Sequence, residues 1–159
     1  MNNFNRENIK AFRFVRCSFD AHSGQALLAY AFDDGEELVE TIQFPGAPFA
    51  LNEQQKTAAD QALKLLHLIA GVSYYKAAVP PEIRIESSSI DSGTADFLQM
   101  LYENGLGEFA YRNGLNLHGK IKFPHIAESE TLAVAAGLKQ HALVAIGGGK
   151  DSLVSIEAL

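Results

Sequence analysis

Cysteine is almost absent from this chain: Cys17 is the single one, which excludes a disulfide framework and a cysteine-rich zinc site by counting. Tryptophan is missing altogether, so the core must be built from Phe, Leu, Ile and Ala, with ten phenylalanines available. A basic excess is also missing: thirteen Lys and Arg stand against nineteen Asp and Glu, a formal charge of −6. Proteins that live on phosphate-backbone contacts carry a basic stripe, and the one local basic cluster, Arg13 with Arg16, is too thin for that. Nucleic acid is not the expected partner. Long apolar runs are lacking too. The longest, such as residues 26–32, fall far short of the roughly 18–20 residues that a membrane span requires. The opening Met-Asn-Asn-Phe-Asn-Arg-Glu has no apolar run behind its charges, unlike a signal peptide. A cytoplasmic protein without a membrane partner is the expectation.

What is present is ordinary globular composition, 47% apolar and 20% charged over 159 residues, enough for one domain and barely for two. Residues 12–19, 26–32 and 38–44 read as strands around His22-Ser23-Gly24 and Asp33-Asp34-Gly35, the pattern of an antiparallel meander. Pro45, Gly46 and Pro48 end it. Asn52 with Gln55 forms a capping-box pattern, and Ala59, Ala62, Leu63, Leu66 and Ile69 then recur at helical spacing up to Gly71. Lys56, Asp60, Lys64 and His67 fall on the face read as wet. Residues 83–86 read as a short strand after Pro80-Pro81. A second helix is expected over 94–104, burying Phe97, Leu98 and Leu101, with a further helical turn at 108–112. Residues 115–123 read as a hairpin around His118-Gly119, and 128–137 as an Ala-rich helix.

The chain changes character at its far end. An apolar run at 141–146 meets Gly147-Gly148-Gly149, and residues 150–159 regain helical spacing through Leu153, Ile156 and Leu159. Strand, glycine loop and helix form the opening of a parallel α/β unit. The expected architecture is therefore α+β. Residues 1–124 form a meander with packed helices, and 125–159 form the first strand-loop-helix unit of a nucleotide-binding α/β domain. On this reading the chain is the N-terminal part of a longer protein. The alternative is that the last strand joins the preceding sheet and the fold closes.

The chemistry is concentrated in Gly147-Gly148-Gly149-Lys150-Asp151-Ser152. Glycines let backbone N–H groups approach an anion with no Cβ in the way, and the following helix N-terminus adds unpaired donors. Lys150 supplies charge and Ser152 a hydroxyl. The Walker pattern fails at both Val144 and Asp151, and the dinucleotide pattern meets Ser152 where it needs Gly or Ala. The segment instead resembles the PP-loop of ATP pyrophosphatases, Ser-Gly-Gly-x-Asp-Ser, with Gly147 in place of the first Ser. Residues 12–20, 71–76, 108–115 and 144–157, in this order, resemble the MurL family of UDP-N-acetylmuramoyl-L-alanyl-L-glutamate epimerases.

That resemblance implies ATP and Mg2+ as cofactors and a UDP-linked muramyl dipeptide as substrate. The terminal L-glutamate would be inverted to D-glutamate through an acyl-adenylate, with AMP and pyrophosphate released. A free carboxylate makes its neighbouring C–H a very poor acid, and adenylation removes that charge. No catalytic base is assigned in this stretch; one cysteine cannot serve as a cysteine pair. The 159 residues alone are expected to be inactive.

Weaker candidates stand beside plainer readings. Tyr74-Tyr75-Lys76, read as a connection, offers aromatics to a uracil or sugar, or else covers a core edge. Arg112 and Asn113 offer a carboxylate or phosphate clamp, or else close a helix against its dipole. The five histidines show no metal-ligand spacing, so no metal site of the chain's own is expected, and the acidic run at 33–37 lacks EF-hand spacing. Two rival functions remain: a PP-loop amide ligase or tRNA-thiolating enzyme, and a non-catalytic recognition module.

Overall fold

The computed structural model describes residues 5–127, Gly137, Lys139, Val144, Gly147 and 149–158, with the Asp151 side chain excluded. The expected helix at 128–137 and strand at 141–146 lie outside the described residues.

Strands β1 (Ala11–Asp20), β2 (Gln25–Phe32) and β3 (Leu38–Gln43) form the expected meander, paired antiparallel in sequence. The Asp20 carboxylate accepts from the backbone N–H of His22 and the hydroxyl of Ser23 (2.9 and 2.6 Å), which fixes the first turn. The second turn is held by Asp33, whose carboxylate accepts the N–H groups of Lys10 and Ala11 at 3.0 and 2.8 Å. Its acidic run is thus a turn device.

A fourth strand, β4 (Glu82–Ile85), pairs with β1 in parallel, so the sheet is mixed, with order β3-β2-β1-β4. The pure meander is corrected here. The chain leaves β3, runs through helices α1 (Glu53–Ala70) and α2 (Val72–Tyr75), and returns on the far side of β1. Parallel pairing requires such a crossover. Arg13 of β1 locks the new edge through a fork to Glu86, with Nε and an Nη each donating to one carboxylate oxygen at 2.7 and 3.0 Å.

Helix α1 carries the expected capping box between Asn52 and Gln55. Its orientation corrects the expected faces. Leu63, His67 and Leu68 are the buried residues of α1, whereas Ala62 is exposed and Ala59 and Leu66 are half-buried. With Phe19, Phe44, Phe49 and Leu51 these last border an open apolar cavity of about 390 Å3. His67 lies at the border of two helix faces by spacing, and packing against β2 draws it inward.

His67 is 0% exposed. Its Nε2 lies 3.0 Å from the Ala29 carbonyl oxygen, which can only accept, so Nε2 carries the proton. Nδ1 is left to accept from Ser87 Oγ at 3.4 Å. Burial lowers the imidazole's pKa, with the Ala29 hydrogen bond opposing it. A group whose folded pKa is depressed contributes stability at pH above its ordinary value of 6.5, and that stability is lost as pH falls through the folded value. We expect the domain's Tm to decline from about pH 6.5 downward, before carboxylates titrate. In His67→Gln that upper part of the decline should vanish. An unchanged pH profile would remove His67 as its source.

Helix α3 (Ser92–Gly105) is capped by Asp91, whose carboxylate accepts the Thr94 N–H at 2.7 Å. It buries Ala95, Leu98 and Tyr102; the expected Phe97 is 42% exposed and Leu101 is only half-buried. Tyr102 defines the inward stripe because its hydroxyl donates to the Leu68 carbonyl at 2.6 Å. Helix α4 (Gly107–Arg112) follows. The expected hairpin at 115–123 contains no strand; Lys120 N–H donates to the Leu117 carbonyl, closing a turn at 3.0 Å, and Leu117, Ile121 and Phe123 face the core. Helix α5 (Lys150–Glu157) begins at the glycine loop.

Candidate functional site

The glycine segment feeds directly into α5, as its spacing predicts. Gly149 is the N-cap residue, with φ −94° and ψ 167°, and no side chain caps the helix. A Cβ built on Gly147 or Gly149 would meet no atom of the described residues within 4 Å. The Gly147 N–H donates to Ser152 Oγ at 3.1 Å, folding the loop back over the first helical turn. Lys150 is exposed. Chemically the segment offers N–H groups, a helix N-terminus, a hydroxyl and an ammonium to an anion. Gly148 and the side chain of Asp151 lie outside the described residues. Along α5, Leu153, Val154 and Ile156 are 65%, 67% and 45% exposed.

The Tyr74-Tyr75-Lys76 segment is not a loose connection; it ends helix α2, and its side chains diverge. Tyr75 is buried, its hydroxyl donates to the Pro80 carbonyl at 3.2 Å, and burial pushes its pKa up to about 12. It is a core phenol. Tyr74 stacks on Tyr30 with ring centroids 4.7 Å apart. Desolvation raises its pKa, and Glu40 raises it further through its charge and a hydrogen bond. Tyr74 also borders an open groove with Asn5, Asn8, Ser73 and Glu36. Tyr75, though buried, lines a different groove from Tyr74, and Lys76 is exposed.

Arg112 pairs with Glu108 one turn back at 2.8 Å, both side chains well exposed. The Asn113 amide donates to the Phe109 carbonyl at 2.8 Å. Both thus engage their own helix, the plainer of the two readings. No described contact joins them to the glycine segment or to Tyr74.

Sequence reasoning missed a second groove, on the other side of α2. Pro80 and Pro81 form one wall, and the 114–122 segment, with Asn116, Lys120 and Lys122, forms the other; its volume is about 640 Å3. The signal that could have found it is the alternation Lys120-Ile121-Lys122-Phe123, in which Ile121 and Phe123 are buried and both lysines exposed. Among the described residues no three His, Cys, Asp or Glu side chains gather as a metal site would need. No helix of the described residues is long and apolar enough to cross a membrane.

The chain matches the MurL N-terminal domain family over residues 3–159, and it belongs to that family. UDP-N-acetyl-alpha-D-muramoyl-L-alanyl-L-glutamate epimerase of Xanthomonas oryzae pv. oryzae is 65% identical over 159 residues, covering all of this chain and 35% of that protein. Proteins of the same name from Salinispora tropica and Micromonospora sp. are 37% and 36% identical, again across the whole chain and 35% and 36% of their own lengths. The chain therefore spans about a third of the length of these curated relatives. No solved structure matches it.

Proposed function

We propose, from membership in the MurL N-terminal domain family, that this chain is part of an ATP-dependent epimerase in peptidoglycan precursor synthesis. The reaction inverts the terminal L-glutamate of UDP-N-acetylmuramoyl-L-alanyl-L-glutamate. The observation that carries the reading is identity of 65% along the whole chain to a relative bearing that name. The ATP part rests on the Gly147–Ser152 segment and its likeness to a PP-loop.

The described residues fit a phosphate chain: an uncapped helix N-terminus, two glycines with open space, and an exposed Lys150. On this proposal the backbone N–H groups of Gly147, Gly148 and Gly149 hold the pyrophosphate half of ATP, and Mg2+ enters with the nucleotide. Lys150 balances charge. Ser152 turns its hydroxyl from acceptor for Gly147 to donor for a phosphate oxygen. ATP supplies an adenylyl group that masks the glutamate carboxylate. The α-proton then leaves a neutral acyl group's neighbour, and two adjacent negative charges are avoided. Tyr74 is positioned to meet a ligand at its open groove.

The test is isotope exchange on the full-length protein. A terminal L-glutamyl substrate in deuterated water should gain deuterium at Cα only when ATP and Mg2+ are supplied, with AMP and pyrophosphate appearing together. An amide ligase would require an amine donor and leave Cα unlabelled. Exchange without ATP, or inversion with ADP as product, would sink the proposal.

A further inference from the structure

The groove between Pro80-Pro81 and residues 114–122 has a side-chain chemistry of one kind. Its polar lining side chains are Tyr75, Asn116, Lys120 and Lys122, and none is a carboxylate. Tyr75 spends its proton on the Pro80 carbonyl and forms a neutral wall. Asn116 uses its carbonyl oxygen to accept the His118 N–H at 3.1 Å, which leaves its NH2 as the group to offer. The groove therefore presents an amide donor and two ammonium groups.

Those ammoniums, like those of Lys10, Lys76 and Lys150, make no ion pair with a described residue, although the chain is acidic overall at −6. Six other basic side chains, Arg13, Arg16, Lys56, Lys64, Arg84 and Arg112, are each ion-paired with an Asp or Glu. Among the carboxylates of the packed helices, Glu103 of α3 is engaged by other groups. It accepts the Gly119 N–H at 2.9 Å and faces His118 at 3.6 Å. Burial of Ile121 and Phe123 puts both lysines on the same, outer side of the segment, two residues apart.

The backbone around the groove is held in shape. Val79, Gly114 and Gly119 all have positive φ, at 52°, 64° and 68°. For a β-branched valine that conformation is strained. The Val79 N–H is held by the Tyr75 carbonyl at 2.8 Å, and two prolines follow it. The volume of about 640 Å3 exceeds what a lone phosphate needs and lies within the range of small-molecule sites. Leu115 and the prolines add apolar wall for an attached sugar or base.

We infer that this groove binds the diphosphate of a nucleoside-diphosphate ligand, with Lys120 and Lys122 each meeting one phosphoryl group and Asn116 donating beside them. Two sources carry that chemistry, a UDP-linked substrate and ATP. The UDP-linked substrate is the assignment, because the glycine segment already provides for ATP; the choice of uridine rests on the proposed function.

The experiment compares the full-length protein with Lys120→Ala/Lys122→Ala, using UDP, UMP and ATP as calorimetric probes and circular dichroism to verify folding. The Kd for UDP should rise at least tenfold in the double variant and weaken with added salt, while ATP binding is unchanged. UMP should bind the unmodified protein far less tightly than UDP. Lys56→Ala, on α1 and paired with Glu53, should leave UDP binding intact. Lys120→Arg/Lys122→Arg should restore much of it. UDP binding indifferent to the lysines, or no UDP binding at all, would overturn the inference, as would loss of ATP binding in place of UDP. These outcomes separate from those of the epimerase proposal. Lysine-dependent UDP binding without any inversion of glutamate would defeat that proposal alone. Inversion with an unchanged KM for the UDP-linked dipeptide in the double variant would defeat the groove alone.

Discussion

Gly71→Ala should lower the stability of this domain by about 2–3 kcal/mol, the upper part of the range of about 1–3 kcal/mol for forcing extra volume into a packed core. The position joins α1 to α2, and its backbone is right-handed helical at φ −56°, so alanine meets no conformational objection. The objection is space. A Cβ there would lie 2.4 Å from Phe14 Cε1, 3.0 Å from Phe14 Cζ and 3.1 Å from the Tyr102 hydroxyl. Neither ring can yield cheaply. Phe14 is fully buried and packs against Phe12, Tyr30, His67 and Phe123, while the Tyr102 hydroxyl is fixed on the Leu68 carbonyl. For a chain of this size the loss translates to a fall in Tm of roughly 5–10 °C. Thermal unfolding followed by circular dichroism reads it. Gly105→Ala is the control: no atom lies within 4 Å of its Cβ, at the end of α3, and it should be neutral or slightly stabilising. Equal melting of Gly71→Ala and the parent would show that the α1–α2 corner is looser than its distances say.

Local chemistry was readable from the sequence, and long-range partnership was not. The Asn52–Gln55 capping box involves residues three apart, so its pattern and its hydrogen bonds at 2.8 and 3.1 Å coincide. The first three strands follow from turn residues and alternation. The parallel pairing of β4 with β1 joins Ala11 to Glu82, and nothing in either segment names its partner. His67 was misplaced for the same reason: helical spacing puts it at a border, and the Ala29 carbonyl, 38 residues away, decides which side it takes. Phe97 and Tyr102 are both plausible core aromatics on α3. The Leu68 carbonyl waiting for a hydroxyl favours Tyr102.

The candidate site divides in the same way. Gly147–Ser152 is contiguous, so its glycine-to-helix form could be read directly, and α5 begins at Lys150 as that form requires. Tyr74 and Tyr75 are adjacent in sequence and alike in composition, yet they line different grooves, Tyr74 stacked on Tyr30 and Tyr75 buried with its hydroxyl on the Pro80 carbonyl. The Lys120–Lys122 groove needs residues 79–81 and 114–122 to meet across the fold, which composition cannot reveal.

Gly149→Asp offers the sharpest test of the glycine segment, because stability and nucleotide use should move in opposite directions. At φ −94° and ψ 167° the N-cap position accepts any L-residue, and no atom of the described residues lies within 4 Å of where the new side chain would start. Asparagine and aspartate are better caps than glycine by a few tenths of a kcal/mol, since a side-chain oxygen accepts a free N–H of the first turn. The helix macrodipole favours the added negative charge as well. Helix α5 should therefore form at least as well as in the parent protein. The same carboxylate would put a negative charge beside the Gly147–Gly149 N–H groups that the proposed function assigns to pyrophosphate, and would repel it. ATP-dependent turnover of the full-length protein should drop by about 10²-fold or more, the scale of losing preorganised donors at a charged group. Lys150→Ala should cost less, about tenfold, because the backbone N–H groups remain in place. Turnover preserved in Gly149→Asp, with an unchanged KM for ATP, would mean that the segment is a turn between strand and helix and holds no phosphate.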